Sequence, residues 1–269
     1  MSFTEQQSAA PEIASAAAAP AKTLLAKIPR GMTCAGVHRA VVEMMLQAGD
    51  VPRDAAMLDI PCGRGDLIES LRLFFSDATF RGVDLYRPAK LKDHEFAQVD
   101  VSRPFRVFPE VDFQYLFCVS GIMEWENTLQ FFHSCAAHLR PGGKMYVSND
   151  NVIALADRLH YLFFGRLRQY RLFLTQDQPE WKVTPTQNLV KIVRTAGFRI
   201  LEVKYVNIRR QDWLLMPLLL PLALVICPIQ YFYLLIAKTK MPIAERLTYY
   251  PFRSIFCRHY ILVCEKVAQ

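Results

Sequence analysis

The sequence lacks the paired cysteines that a disulfide framework or a zinc site requires. Its seven cysteines are odd in number, and no two of them form a Cys-x-x-Cys pair. This pattern argues against a disulfide-rich secreted protein and against a metal site, and it predicts a reducing compartment. Residues 1–22 lack a basic start followed by an apolar run, so they predict a disordered tail rather than a secretory signal.

Acidic side chains are the scarcer charge. The chain of 269 residues carries 25 Asp and Glu against 32 Lys and Arg, which gives a net charge of +7. An excess of positive charge favours anionic partners, namely nucleic acid, an anionic membrane surface or a phosphorylated substrate. Composition does not choose among the three. The length allows one large α/β domain or two small ones.

Internal repeats are also absent, and predicted strands alternate with predicted helices. Apolar runs predict strands at 56–60, 79–85, 95–101, 111–120, 144–150, 198–206 and 258–266. Apolar residues at helical spacing predict helices within 23–50 and at 66–75, 126–139 and 184–198. Residues 141–143, Pro-Gly-Gly, predict a turn before the fifth strand, and Gly49 predicts a helix end. Such alternation indicates an α/β fold with a doubly wound, mostly parallel, seven-stranded sheet and helices on both faces.

The most informative stretch is the junction at 58–66, which reads LDIPCGRGD. A strand there runs into a tight turn with two glycines and then into a helix. Glycines let the backbone approach a ligand, and a helix N-terminus offers unpaired N–H groups. Asp84 ends the next predicted strand, where a carboxylate can accept both hydroxyls of a ribose. Asp100 ends the third, where a carboxylate can receive the exocyclic amino group of adenine.

This arrangement resembles the class I S-adenosylmethionine-dependent methyltransferases. Their pattern after the first strand is acidic-x-Gly-x-Gly-x-Gly; Asp59, Gly63 and Gly65 match it, and Pro61 stands where the first glycine is usual. The resemblance continues in GVDL, QVDV, LFCVSGIMEW and LRPGGKMYVS, over about residues 40–208 plus the last strand. It implies S-adenosylmethionine as the cofactor and an antiparallel seventh strand. The cofactor-binding residues that it implies are Asp59, Pro61, Gly63, Gly65, Asp84, Leu85, Asp100, Val101, Val119 and Ser120.

Other interpretations of these residues stay open. A dinucleotide-dependent oxidoreductase would carry Gly-x-Gly-x-x-Gly, but Ile68 stands at the third glycine position, which disfavours that class. Asp84 and Asp100 could be no more than caps at strand ends. A domain that binds the cofactor without catalysis is a further alternative.

The sequence also lacks the Asn/Asp-Pro-Pro-Tyr motif that enzymes methylating nucleobase amines usually carry after the fourth strand. Methyl transfer requires an aligned acceptor and, for a hydroxyl acceptor, removal of its proton. The candidates for this chemistry are Glu124 after the fourth strand, Asp150 at the end of the fifth, and His160 beyond it. Glu124 could equally be a helix N-terminal charge, and His133 and His138 are expected to have core or surface roles.

Charged side chains are missing from 213–237 altogether, a run that would be about 37 Å long as a straight helix. The run lies between two strands of one sheet, so a single membrane crossing would leave the last strand on the wrong side. Pro217, Pro221 and Pro228 are expected to break the helix into pieces too short to span. Basic and aromatic flanks favour an insert that lies on an anionic membrane surface. A lid buried against protein and a two-pass hairpin are the alternatives.

The sequence therefore predicts a tail at 1–22, a methyltransferase domain at 23–208 plus 258–269, and a membrane-associating insert at 209–257. The predicted protein is peripheral or monotopic on the cytoplasmic side of a membrane. Its predicted acceptor is a lipid, a quinone-like molecule or a lipid-linked small molecule. Nucleic acid is a disfavoured partner. An RNA methyltransferase and a non-catalytic assembly partner that binds the cofactor are the competing hypotheses.

Overall fold

A mixed seven-stranded sheet forms the centre of the computed structural model, which describes residues 22–122, 127–168, 173, 182 and 184–268. The strands are β1 (Ala56–Asp59), β2 (Thr79–Asp84), β3 (Phe96–Gln98), β4 (Phe113–Val119), β5 (Leu139–Asp150), β6 (Phe198–Val206) and β7 (His259–Lys266). Their order is β3-β2-β1-β4-β5-β7-β6. Only β7 runs antiparallel, against both β5 and β6. The predicted fold class is therefore confirmed. The predicted tail lies outside the described residues except for Lys22.

Helices surround the sheet. They are α1 (Val37–Ala48), α2 (Asp66–Arg72), α3 (Thr128–His138), α4 (Leu155–Phe164), α5 (Thr186–Thr195), α6 (Arg210–Leu214), α7 (Met216–Ile236) and α8 (Ile243–Tyr249). Gly49 ends α1 in a left-handed conformation, as predicted, and its N–H donates to Met45 O at 3.3 Å. The helix predicted within 23–50 is interrupted, because Gly31 and Gly36 both adopt positive φ values that a helix does not contain.

Apolar side chains alternate between the two faces of the sheet. Along β4, Leu116 and Cys118 face one core cluster and Tyr115 and Phe117 face the other. The first cluster includes residues of α3 and α5, and the second includes residues of α1 and α2. Because consecutive strand residues point to opposite faces, both sides of the sheet are covered, as in a doubly wound fold.

The fifth strand begins earlier than the sequence predicts. The residues at 141–143 lie inside β5 rather than in a turn before it. The pairing of β4 with β5 jumps from Phe113–Leu139 to Tyr115–Lys144, so three extra residues of β5 are absorbed as an irregularity. Gly143 allows this close packing, since a Cβ there would lie 2.9 Å from Arg140 O.

The long apolar run forms one continuous helix, α7, of 21 residues, about 32 Å in length. The prediction that prolines break it is wrong. Pro217 lies in the first turn, where an N–H has no helical partner, and Pro221 and Pro228 each remove only one hydrogen bond from a long ladder. At its C-terminal end, Arg246 donates to the carbonyl oxygens of Leu234 at 2.7 Å and Ala237 at 3.1 Å.

Little of α7 is covered by protein. Its buried residues are Leu219, Ala223 and Cys227, one stripe at a spacing of four that packs with Leu155 and Phe256. Within the described parts of the chain, α7 is the one helix long and apolar enough to cross a membrane, judged by length and composition.

The segment that contains α7 leaves and re-enters the sheet at the same edge. β6 pairs with β7 from Phe198–Lys266 to Val206–His259, so the last strand returns directly beside the strand before it. The carboxyl ends of the parallel strands β1, β2, β4, β5 and β6 share one edge, where β7 begins. α4 follows β5, and α6 and α7 follow β6, so both helical segments start from this edge.

A buried ion pair fastens the two helical segments to each other. Arg168 Nε donates to Asp157 Oδ1 of α4 at 2.9 Å, and its Nη2 donates to Asp212 Oδ2 of α6 at 3.0 Å. Asp157 and Asp212 are 0% and 2% exposed. Two buried carboxylates thus share one planar guanidinium, a geometry in which each charge depends on its partner.

Candidate functional site

The turn between β1 and α2 approaches the neighbouring strand closely. Cys62 N–H donates to Val83 O at 2.9 Å, and Gly65 N–H donates to Cys62 O at 2.8 Å. Gly63 and Gly65 have φ values of 52° and 76°, which residues with a side chain rarely adopt. Gly82 of β2 is also required, since a Cβ there would lie 2.9 Å from Cys62 Sγ. The turn is built for close backbone approach.

Asp84, at the end of β2, is fixed by this turn. Its Oδ2 accepts the N–H of Gly63 at 2.8 Å, and its Oδ1 accepts the N–H of Leu85 at 2.7 Å. A carboxylate oxygen has two lone pairs, so each oxygen keeps one for a ligand hydroxyl. The side chain is therefore oriented before any ligand arrives.

A cavity of about 550 Å³ lies over the turn, within the range of roughly 300–1,000 Å³ typical of small-molecule sites. The sheet edge and the segment before α1 form its walls. Predicted cofactor-binding residues that line it are Asp59, Pro61, Gly63, Asp84, Val119 and Ser120. The structure thus brings six predicted residues from three strand ends together around one space.

Four predicted cofactor-binding residues do not line the cavity wall. Gly65 instead caps α2, and Leu85 is exposed. Asp100 is held by Ser102, whose hydroxyl donates to it at 2.6 Å and whose N–H donates at 3.0 Å; these bonds lower the pKa of the carboxyl. Val101 is buried in a core cluster. Their roles in cofactor binding stay predictions.

The segment before α1 and the first turn of α1 contribute cavity residues that the sequence did not reveal, among them Met32, Thr33 and His38. Burial lowers the pKa of His38 to about 4, so its ring is neutral at physiological pH. A Cβ at Gly31 would lie 2.2 Å from His38 Cε1, which explains the glycine. The two glycines of this segment were the available signal that it is a loop. The loop after β2 contributes Tyr86, Arg87 and Lys90 to the cavity lining, and these were also unpredicted.

Asp59 is the most unusual group at the cavity. It is 2% exposed, and its Oδ1 has no hydrogen-bond partner among the described residues. Burial, together with the nearby charge of Asp84, raises the pKa of Asp59 well above its ordinary value. Because buried polar groups normally find partners, an unpartnered carboxyl in a cavity wall suits a ligand that brings a cationic hydrogen-bond donor.

The predicted catalytic residues lie apart from this wall. Glu124 is outside the described residues. His160 directs its Nδ1 to Arg166 O at 2.9 Å, and its ring contacts that of Phe164. Asp150 is buried and accepts a hydrogen bond from His259 at 2.9 Å. Neither His160 nor Asp150 lines the cavity.

The two other histidines considered from the sequence have ordinary roles. His138 is buried; its Nε2 accepts the N–H of Val107 at 2.9 Å, and its Nδ1 lies 2.7 Å from Ser134 O. His133 is exposed on the same helix. Core or surface roles were expected for both.

The strand order, the single antiparallel strand and the glycine turn at the sheet edge define the fold of class I S-adenosylmethionine-dependent methyltransferases. Among solved structures, the [4+2]-cyclase SpnF aligns with a TM-score of 0.52 at 13% identity, over 90% of this chain and 86% of that one. A 1,6-didemethyltoxoflavin-N1-methyltransferase from Burkholderia thailandensis aligns at 0.50 with 14% identity, over 98% and 94%. A phosphoethanolamine N-methyltransferase 2 from Haemonchus contortus aligns at 0.50 with 16% identity, over 92% and 56%.

Identities of 13–16% establish a shared fold and leave the reaction open. The fold neighbours include both methyltransferases and a cyclase, so the reaction must be argued from the cavity itself. The sequence matches no protein-family model and has no significant match among curated proteins.

Proposed function

We propose that this chain is an S-adenosylmethionine-dependent methyltransferase that acts at a membrane surface on a lipid, quinone-like or lipid-linked acceptor. The observation that carries the proposal is a cofactor-sized cavity and an extensive apolar surface at the same edge of the sheet. A water-soluble acceptor would need only the first of these features. A lipid-like acceptor uses both.

The cavity suits the cofactor group by group. The unpartnered carboxyl of Asp59 fits a cationic amine such as that of the methionine part. Asp84 would accept the ribose hydroxyls, as the resemblance implies, and Asp100 would accept the adenine amino group. Gly63 would let the backbone approach the ligand. When bound, the cofactor supplies a methyl group on a positively charged sulfur, and the protein aligns the acceptor with it.

The apolar surface is formed by α4, α6 and α7. Its exposed members are Tyr161, Leu162, Phe163, Phe164, Trp213, Leu214, Leu218, Leu220, Leu224, Val225, Ile229, Phe232, Tyr233, Leu235 and Ile236. Soluble monomers rarely expose contiguous apolar patches beyond roughly a few hundred Å². A helix that is apolar all round belongs in a core or a membrane, and α7 buries only one stripe in protein. A bilayer is the environment that covers the rest.

Charge at both ends of α7 supports the same partner. Arg210 precedes the helix, Lys238 and Lys240 follow it, and all three are exposed. Basic residues beside an apolar insert attract anionic headgroups. Since β6 and β7 are paired, a single crossing by α7 would separate them, so the continuous helix lies along one leaflet. This favours a monotopic protein on the cytoplasmic side, with 23–208 plus 258–269 as its catalytic domain and 209–257 as its insert.

Two measurements test the proposal. Calorimetric titration with S-adenosylmethionine and S-adenosylhomocysteine should give saturable binding, and its absence would refute the cofactor assignment. Methyl-tritiated S-adenosylmethionine should then label a total lipid extract from the source organism rather than its RNA. Label in RNA would instead support the RNA methyltransferase hypothesis, and binding without transfer would support a non-catalytic role.

A further inference from the structure

A line of hydrogen bonds leads from a buried carboxylate to the cavity wall. Asp150 Oδ1 lies 2.9 Å from His259 Nδ1, and His259 Nε2 lies 3.3 Å from Ser120 Oγ and 3.1 Å from Ser148 Oγ. Ser120 Oγ is in turn 2.5 Å from Thr33 Oγ1. Ser120 and Thr33 both line the cavity, whereas Asp150, Ser148 and His259 lie behind it.

The imidazole of His259 is held in one orientation. It is 0% exposed at the start of β7, opposite Asp150, which is 5% exposed. A proton on Nδ1 satisfies the carboxylate and leaves the lone pair of Nε2 for the serine hydroxyls. Burial alone would lower the pKa of His259, but the hydrogen bonds that it makes to Asp150 and Cys34 outweigh burial, and the pKa is raised. Within the described residues, Asp150 and Cys34 are the titratable side chains that contact it.

The backbone of Ser120 is shaped to present its hydroxyl. Its φ of 61° is a left-handed value that residues with a side chain seldom adopt, at a cost on the order of 1 kcal/mol. The strand β5 holds it there, because Ser120 N–H donates to Ser148 Oγ at 3.0 Å. Its hydroxyl consequently contacts both His259 and Thr33. Uncommon backbone of this kind persists where the surroundings enforce it, often at functional sites.

We propose that Ser120, His259 and Asp150 form a proton relay that deprotonates the acceptor, and that the acceptor is therefore a hydroxyl, alcoholic or phenolic. The inference rests on the proposed function and deepens it. Ser120, at the wall, is the catalytic residue of the relay. His259 and Asp150 act through it and are positioning residues. His160, by contrast, does not line the cavity, and its Nδ1 contacts Arg166 O.

The proton and electron pairs balance in this step. The acceptor hydroxyl gives its proton to Ser120 Oγ, and Ser120 gives its own proton to His259 Nε2. A lone pair of the acceptor oxygen forms the bond to the methyl carbon, and the electron pair of the broken C–S bond stays on sulfur. The resulting imidazolium is stabilised by the carboxylate of Asp150. After the ether product leaves, the proton returns to solvent through Ser120.

The relay explains why a hydroxyl, rather than an amine, suits this cavity. An amine attacks through a free lone pair and loses its proton afterwards, so it gains little from a base behind the wall. A hydroxyl is a weak nucleophile at neutral pH, and general base catalysis typically contributes about 10²–10⁴-fold to such a step.

Rates measured with three variants test the relay, using methyl-tritiated S-adenosylmethionine and the total lipid extract in detergent micelles. Ser120→Ala and His259→Asn should each lower the initial rate by about 100-fold or more and abolish the rise of rate with pH. Asparagine keeps a donor for Asp150 but has nothing to accept the serine proton. Ser134→Ala is the control, because it removes a buried hydroxyl that accepts the N–H of Phe105 at 3.4 Å, away from the relay and the cavity wall. It should cost less than about tenfold, the effect of one ordinary hydrogen bond, and keep the pH profile.

Readouts other than activity separate the relay from a merely structural network. Affinity for S-adenosylhomocysteine by calorimetry should be little changed in His259→Asn. Histidine ¹⁵N spectra of the wild type should show a proton on Nδ1 of His259 at alkaline pH. The opposite tautomer would overturn the proposal, and so would a stoichiometric metal ion bound at Cys34, Asp150 and His259.

The outcomes also distinguish a failure of the proposed function from a failure of the relay. A wild type that labels no lipid contradicts the proposed function. A wild type that labels lipid, with Ser120→Ala retaining its rate and pH profile, contradicts the relay and leaves the function standing. Ser120→Ala can carry this test alone if His259→Asn does not fold, because its side chain lies at the cavity rather than in the core.

Discussion

The cavity and the apolar surface both depart from the usual distribution, in which charged side chains are exposed and apolar ones are buried. The cavity buries a charged group, and the surface exposes apolar ones. At the cavity, the carboxyl of Asp59 is buried, and it keeps an oxygen without a partner in the described structure. At the surface of α4 and α7, aromatic and aliphatic side chains are exposed in long runs. Folding alone explains neither arrangement, since each costs stability. Under the proposed function, a ligand of matching chemistry accounts for each: the cationic amine of the cofactor at the cavity and a lipid phase at the surface.

The largest effect is expected at the ion pair that fastens the two helical segments. Arg168→Met leaves two buried carboxylates without a counter-charge, so the free energy of unfolding should fall by about 3–5 kcal/mol. Urea unfolding measures this. Arg199→Met is the matched control, because Arg199 pairs with Glu265 at an exposed position, where an ion pair contributes about 0–1 kcal/mol. Equal effects of the two substitutions would refute the structural role of Arg168.

A double substitution places charge on the exposed side of α7 and leaves its buried stripe unchanged. Leu224→Glu combined with Ile229→Glu should weaken binding to anionic vesicles by at least about 100-fold, since a charge in the hydrocarbon layer costs roughly 2.5–3.5 kcal/mol by insertion scales. Co-sedimentation with phosphatidylglycerol vesicles measures it. Leu73→Glu places the same charge at an exposed apolar position on the sheet domain and should leave vesicle binding unchanged. Unaltered binding by the double variant would contradict the membrane role of α7.

Asp59→Asn tests whether the carboxyl of Asp59 contacts the ligand. Loss of a charged hydrogen bond should weaken S-adenosylmethionine by about 10–100-fold, equivalent to roughly 1.5–3 kcal/mol, as measured by calorimetry. Asp77→Asn, at an exposed position, is the control and should bind normally. Tighter or equal binding by Asp59→Asn would show that the carboxyl does not contact the ligand.

The same variant makes a prediction about pH. The folded pKa of Asp59 is raised above its ordinary value of 3.8, so its contribution to stability is fully present below that value and is lost as pH rises through the raised pKa. As pH rises from acid to neutral, the free energy of unfolding of ligand-free Asp59→Asn should therefore increase relative to that of the wild type. A constant difference across that range would contradict the assigned burial of the charge.

The smallest effect concerns Asp100, which the sequence assigns to adenine and which lies outside the cavity wall. If its carboxylate accepts the adenine amino group, Asp100→Ala should weaken S-adenosylhomocysteine by about fivefold. It should not affect the inosine analogue, which has no amino group. Calorimetry with the two ligands checks this. Equal weakening of both would show that Asp100 acts only on the loop that it shares with Ser102.

The features that the sequence predicted are local ones. The glycine turn, the strand-end position of Asp84 and the left-handed Gly49 depend on residue types within a few positions of one another. The continuity of α7 could not be predicted from local sequence. The hydrogen bonds that its prolines remove are offset by the remaining backbone hydrogen bonds of the whole helix and by Arg246 from a later segment. The wall from Met32 to His38 depends equally on tertiary packing.

The contacts within the relay could be predicted from the sequence even less. Asp150 and His259 are 109 positions apart, and Ser120 and His259 are 139 apart, so no spacing rule connects them. Only the antiparallel return of β7 beside β5 places the imidazole between the two side chains. Asp150 was predicted from its position at a strand end, and its partner became visible only in the folded sheet.

Methyl transfer by the Leu224→Glu/Ile229→Glu variant tests most directly whether the two regions act together. The acceptor is supplied as total lipid, either in vesicles or dispersed in detergent micelles, with methyl-tritiated S-adenosylmethionine. The account predicts a large loss of rate on vesicles and a rate close to the wild type in micelles, because the apolar surface brings the cavity to the bilayer and takes no part in the chemistry. Equal rates for variant and wild type on vesicles would contradict it.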